Sequence, residues 1–245
     1  MSRWFFIALT IICFPLGVLA GPPILTDDTG TPGSGKWETN MGFTIEKRRD
    51  AVLYNTPALD LNYGIGERIQ LNYSISWIVL DTTNEAAKNG LGNSEVALKW
   101  RFLGEDKNGM ALSVYPRFIF NNPVSSADRG LADKGTVFRL PFQMEKKIGL
   151  IIINPEIGHD FRQEGGDEWL YALALKYDEI KGLEVLVEVF GTADNSFKKQ
   201  ENVVNIGVRK DLNENFSLHA SLGRSLRQAP DQPTLLSYLG LQMRF

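Results

Sequence analysis

The stretch IQLNYSISWIV, residues 69–79, places Ile69, Leu71, Tyr73, Ile75 and Trp77 at every second position, with Gln70, Asn72, Ser74 and Ser76 between them. Alternate side chains of a β-strand point to opposite faces, so this segment predicts a strand with one apolar and one wet face. The pattern repeats on either side. Upstream, Leu59, Leu61 and Tyr63 alternate with Asp60, Asn62 and Gly64, and before them Trp37, Met41, Phe43 and Ile45 alternate with Glu38, Asn40, Gly42 and Thr44. Downstream, Val96, Leu98, Trp100 and Phe102 alternate with Glu95, Ala97, Lys99 and Arg101. Charges occupy one face only.

Further strands read at 110–120, 136–146, 150–158, 168–177, 183–192, 202–211, 215–224 and 234–245, about twelve in all. Two of them break the pattern. Pro116 interrupts the ladder of 110–120, and Leu186 and Phe190 fall on the polar face of 183–192.

The connections alternate in length. Gly64–Arg68, Gly104–Gly109, Lys146–Gly149, Asp178–Gly182 and Asp211–Asn215 are tight and turn-rich, whereas Lys47–Pro57, Asp81–Asn93, Asn121–Gly135, His159–Asp167, Ala193–Glu201 and Ser225–Pro233 are longer and polar. Short periplasmic turns, longer extracellular loops, an even strand count and both termini on the short-turn side are features of a closed antiparallel transmembrane β-barrel. The expected fold is therefore all-β, with the barrel over residues 36–245. Trp37, Tyr63, Trp77, Trp100, Trp169 and Tyr177 fall near expected strand ends, where amphipathic rings favour a membrane interface.

The first twenty residues read as a signal peptide: a basic start at Arg3, an apolar middle from Trp4 to Leu19 broken by Pro15 and Gly17, and a small-residue cleavage site at Ala20. Ile12 stands before Cys13 where a lipoprotein signal needs a small residue, so lipidation is not expected. Removing residues 1–20 leaves no cysteine, unlike a disulfide-stapled secreted domain. No later stretch has the roughly twenty apolar residues a transmembrane helix needs. The formal net charge is −3, or −4 without Arg3, which gives no basic surplus for nucleic acid.

Turning the polar faces inward gives a lumen lined by Glu38, Asp60, Glu95, Lys99, Arg101, Arg117, Arg139, Glu145, Glu156, Lys176, Glu184, Glu188 and Arg209. A basic side chain facing lipid at the bilayer midplane costs about 2–4 kcal/mol. Two readings of these charges stand. Opposite charges on neighbouring strands pair and fill a narrow lumen; or Arg101, Arg117, Arg139 and Arg209 line a constriction that selects solutes. They are compatible if the pairs leave a gap. Residues 21–35, with Asp27-Asp28 among several glycines and prolines, read as a flexible periplasmic lead-in; the second possibility is that they fold back as a partial plug of the periplasmic mouth.

Catalysis and metal binding find little support. His219 and Ser221 lie two apart on one strand, an arrangement that resembles the His and Ser of outer-membrane phospholipase A. There the pair faces lipid and a neighbouring Asn completes the triad. Here the register turns both inward, Ala220 and Leu222 take the lipid face, and the strand at 234–245 offers no Asn. His159 and His219 have no Cys or near-neighbour His, and Asp27-Asp28 lack the downstream acidic ligand of an EF-hand, so neither metal nor cofactor is expected.

Several phrases together resemble the outer-membrane family labelled "MetA-pathway of phenol degradation", often described as transporters: GPPILTDDTGTPGSGKWETN at 21–40, TPALDLNYGIGERIQLNYSISW at 56–77, LGNSEVALKWRFL at 91–103, DEWLYALALKY at 167–177 and the closing YLGLQMRF. The resemblance spans nearly the whole chain after residue 20. It implies a Gram-negative outer-membrane location, contact with outer-membrane lipid and lipopolysaccharide, and a channel or transporter role for a small aromatic or hydrophobic solute. Phe245, with Leu239, Leu241 and Met243 alternating back from it, resembles the terminal aromatic signature used by the outer-membrane assembly machinery. The other class of function left open is a non-conducting barrel whose outer loops bind a partner.

Overall fold

The structure is a computed structural model describing residues 22–105, 109–227, 229 and 232–245. The expected signal peptide, residues 1–20, lies outside the described residues. Among the described residues thirteen strands follow one another: β1 (Trp37–Lys47), β2 (Ala51–Ile65), β3 (Ile69–Thr82), β4 (Glu85–Leu103), β5 (Ala111–Val114), β6 (Arg117–Asn121), β7 (Val137–Ile148), β8 (Ile151–Arg162), β9 (Glu168–Ile180), β10 (Leu183–Asp194), β11 (Gln200–Asp211), β12 (Phe216–Ser225) and β13 (Leu235–Arg244). Among the described residues a short helix, α1 (Ser125–Asp128), lies between β6 and β7.

Every pairing is antiparallel, and the sheet closes where β1 meets β13, from Glu38 opposite Arg244 to Lys47 opposite Leu235. Pro116 has no N–H to give the ladder. The expected strand at 110–120 is accordingly split into β5 and β6, both of which pair with β4 and β7. They form one broken stave, and the barrel is a closed antiparallel barrel of twelve staves. Closure satisfies the backbone without leaving an edge, a requirement of any sheet that spans lipid.

The alternation read from the sequence sorts the side chains as expected. In β1, Met41, Phe43 and Ile45 are exposed on the outside while Asn40 and Glu46 are buried inside. In β3, Leu71, Tyr73 and Trp77 face out while Gln70 and Asn72 face in. The outer belt carries Trp37 and Tyr63, whose rings lie 4.9 Å apart near the turns, and at the opposite end Trp169, 4.7 Å from His159. Phe245 exchanges backbone hydrogen bonds with Trp37, both 2.9 Å, which ties the chain end into β1.

Strand boundaries differ most at the outer end. Residues 47–57 and 81–93, expected as polar connections, are largely strand: β2 begins at Ala51, and β3 and β4 turn at 83–84. About 9–11 residues cross the membrane in a tilted strand, whereas β2, β3 and β4 have 15, 14 and 19. These strands rise beyond the apolar belt, where the lipid rule no longer imposes alternation. The longest connection, residues 122–136, folds back over the mouth. Leu131 is fully buried against Ala51, Leu53, Ile78 and Leu80 on the inner faces of β2 and β3. Asp133 and Asn93 hold it by two reciprocal hydrogen bonds, 2.8 and 3.1 Å.

Candidate functional site

Residues 22–32 run through the lumen and are held from two sides. Their backbone offers N–H groups to carboxylates of the wall. Glu188 on β10 accepts from the N–H of Leu25 and of Thr26, each at 2.7 Å, and from the Thr26 hydroxyl at 2.5 Å. Glu156 on β8 accepts from Asp27 N–H at 3.3 Å, and Glu145 on β7 from the N–H and hydroxyl of Thr29 at 3.0 and 2.5 Å. Their side chains offer carboxylates to cations of the wall. Asp27 takes Lys99 at 3.0 Å and Arg117 at 2.9 Å; Asp28 lies 3.7 Å from Lys176 and 3.5 Å from Arg209. A backbone N–H bonded to a charged group is among the stronger hydrogen bonds available.

Apolar contacts complete the fit. Ile24 packs with Leu186 and Ala174, all three buried. The misplaced Leu186 of β10 is thus the seat of a residue in the N-terminal segment. Gly64 lets the segment leave the barrel, since a Cβ there would stand 1.8 Å from the carbonyl oxygen of Gly33.

The structure places the thirteen lumen candidates as follows. Glu95, Lys99, Arg117, Arg139, Glu156, Lys176 and Glu188 are deeply buried inside the barrel. Pairs between wall residues are Arg117–Glu95 at 3.6 Å, Lys176–Glu145 at 2.5 Å and Arg209–Glu184 at 2.8 Å, while Arg139 makes a two-armed contact with Asp160 at 2.6 and 2.7 Å. Asp60 is satisfied by the amides of Asn40, Asn62 and Asn72. Glu38 lines the space nearest the turns. Arg101 lies apart, reaching the carbonyl of Glu67 at 2.6 Å at the short-turn rim, so the four expected constriction arginines do not form one ring. Tyr115, just before the strand break, lies under Arg117 and Lys99, 4.1 and 4.8 Å from its ring centroid.

Pairing across neighbouring strands is therefore only part of the charge balance. Asp27 and Asp28 supply the rest, and the lead-in reading of residues 21–35 does not describe where residues 22–32 lie. Asp160 and Asn205, the latter donating to Glu188 at 2.6 Å, were also not among the expected lumen residues. Leu186 on a polar face was the one sequence signal for an occupant.

The segment divides the lumen into two chambers. Toward the turns, a polar chamber of about 1180 Å³, open solvent at its mouth included, is lined by Glu38, Asp60, Lys99 and Arg209 among others. Toward the loops, a chamber of about 1370 Å³ on the same measure has Pro23, Ile24 and Leu25 as its floor and Ile119, Phe190 and Tyr238 in its wall.

His219 and Ser221 both face inward, as the register requires, but are not partnered with each other. His219 Nε2 lies 3.0 Å from the Ser217 hydroxyl, and Ser221 donates to the Pro23 carbonyl at 2.6 Å. Among the described residues no group of His, Cys, Asp or Glu has the arrangement of a metal site.

No family model and no curated protein sequence matches this chain. Solved structures do. The COG4313 outer membrane channel from Pseudomonas putida F1 superposes with a TM-score of 0.74 at 12% identity, covering 89% of this chain and 98% of that one. The KdgM porin in complex with disordered oligogalacturonate gives 0.60 at 10% identity over 84% and 99% of the two chains, and the NanC porin 0.60 at 8% over 84% and 98%. At these identities the likeness concerns the fold, a closed outer-membrane-type barrel.

Proposed function

We propose that this chain is a Gram-negative outer-membrane channel for small solutes, whose lumen is closed in the described state by its own residues 22–32. The observation that carries this reading is the pair of chambers lying on opposite sides of one peptide segment. The segment precedes the first strand and is joined to the wall by side-chain contacts rather than by the sheet ladder, so it can leave without breaking the barrel. The apolar outer belt and the likeness to barrels described as channels and porins support the location. Residues 1–20 would direct export, Phe245 would be read by the assembly machinery, and the belt would meet lipid and lipopolysaccharide. A small aromatic or hydrophobic solute is the class implied by the resemblance to the "MetA-pathway of phenol degradation" family, and the apolar floor of the outer chamber is in keeping with it.

Planar-bilayer recording from the full protein and from a variant lacking residues 22–32 tests the reading. The full protein should show rare openings and the deletion variant steady conductance. If the deletion variant, shown folded by its heat-shifted gel migration, passes no current, the channel reading is wrong. The second reading, a non-conducting barrel that binds a partner through its outer loops, is favoured by the closed lumen and would then stand.

A further inference from the structure

We infer that the outer chamber is a binding site for small, flat amphiphiles that are uncharged or cationic, and that it turns anions away. This rests on the lumen being a solute path.

The shape follows from two aromatic residues and the N-terminal segment. Tyr238 on β13 lies flat across the wall because β1 and β13 offer glycines beneath it. A Cβ on Gly42 or Gly240 would stand 2.5 or 2.1 Å from Tyr238 atoms. Phe190, on what should be a polar face, lines the same chamber, and Ile24 and Leu25 form its floor. A planar apolar body can stack there, since aromatic faces prefer offset or edge contacts with another ring. Among the described residues the Tyr238 hydroxyl has no hydrogen-bond partner, which leaves it available to a polar group on the occupant.

The charge preference follows from how the lining charges are already used. Glu46, Asp133, Glu156, Asp160, Glu168 and Glu201 line the chamber, six carboxylates against the four guanidinium groups of Arg48, Arg117, Arg139 and Arg162. Each guanidinium is engaged by carboxylates: Arg139 by Asp160, Arg162 by Asp160 and Glu168 at 3.2 and 2.9 Å, Arg48 by Glu46 and Glu201, Arg117 by Asp27. An anion would have to displace a carboxylate to reach an arginine. A cation meets a surplus of acid, and a neutral solute meets neither penalty.

The test is equilibrium dialysis of the full protein in lipid nanodiscs against benzylamine, benzyl alcohol and benzoate, with empty nanodiscs as the baseline. Benzylamine and benzyl alcohol should bind above baseline, and benzylamine more tightly than benzoate by about tenfold, equivalent to about 1.4 kcal/mol. The Glu168→Gln, Glu201→Gln double variant should narrow that ratio several-fold, while Tyr238→Phe should weaken both benzyl alcohol and benzylamine, whose polar groups reach its hydroxyl. Benzoate binding as well as benzylamine, or all three probes at baseline, would overturn the inference. Conductance of the same preparations separates the two readings. A barrel that binds in this order and never conducts loses the channel and keeps the site; one that conducts and prefers benzoate loses the site alone.

Discussion

Thr26 gives both its backbone N–H and its hydroxyl, at 2.7 and 2.5 Å, to one carboxylate oxygen of Glu188, a residue 162 positions away in the chain and in the middle of β10. The other oxygen takes Leu25 N–H and the Asn205 amide. One wall carboxylate thus holds two successive residues of the N-terminal segment. Hydrogen bonds to charged groups contribute about 1.5–3 kcal/mol each. Glu188→Ala should therefore raise the open probability of the channel by about tenfold or more, read as the fraction of time conducting in single-channel records, because 1.4 kcal/mol already changes a population tenfold.

Asp27 bridges Lys99 and Arg117, each with almost no exposed side chain. Replacing it by Asn leaves two buried cations short of a counter-charge, and breaking a buried pair typically costs about 3–5 kcal/mol. Asp27→Asn should shift the reversal potential in a KCl gradient toward anion preference and lower the urea midpoint of unfolding from lipid. An unchanged reversal potential would mean that ions do not pass these side chains.

Gly64 provides the exit for the segment. Gly64→Val puts side-chain atoms where the Gly33 backbone runs, so the segment should be expelled while β2 still pairs with β1 and β3. The expected result is cleavage of residues 22–36 by added protease at concentrations that spare the wild-type protein, with the heat-shifted migration of the barrel retained.

Phe142 is half-exposed near the middle of β7, on the lipid side. Phe142→Arg should destabilise the barrel by about 2–4 kcal/mol in lipid if that position sits near the midplane. The same substitution at Gln143, one residue on and facing in, should cost less, because an inward charge finds water and polar partners. Equilibrium unfolding from vesicles measures both.

The fold was legible in IQLNYSISWIV and its repeats because lipid enforces alternation wherever a strand is in contact with it. The same rule hid the outer end. Ala51, Leu53, Ile78 and Leu80 point inward to cover Leu131, an arrangement no membrane pattern encodes. Pairing between neighbouring strands, as in Arg117–Glu95 and Arg209–Glu184, follows from alternation and adjacency, but the partners supplied by residues 22–32 were not legible. Asp27 finds Lys99 and Arg117 at separations of 72 and 90 residues, and a segment without periodicity carries no register. Of the two places where the pattern broke, Pro116 marks the split stave, and Leu186 and Phe190 mark the surfaces against which Ile24 and the outer chamber are built.

Closure of the lumen by residues 22–32 themselves can be checked by tethering them. Pro23 approaches Gly207 closely enough that a Cβ on the glycine would lie 3.0 Å from the Pro23 ring. In a chain whose sole cysteine, Cys13, is changed to Ser, Pro23→Cys with Gly207→Cys should form a disulfide on oxidation. Single-channel current recorded before and after reduction then gives the answer. The tethered channel should be silent when oxidised and open on reduction; equal conductance in both states, with the disulfide shown to have formed, would show that residues 22–32 do not close the lumen.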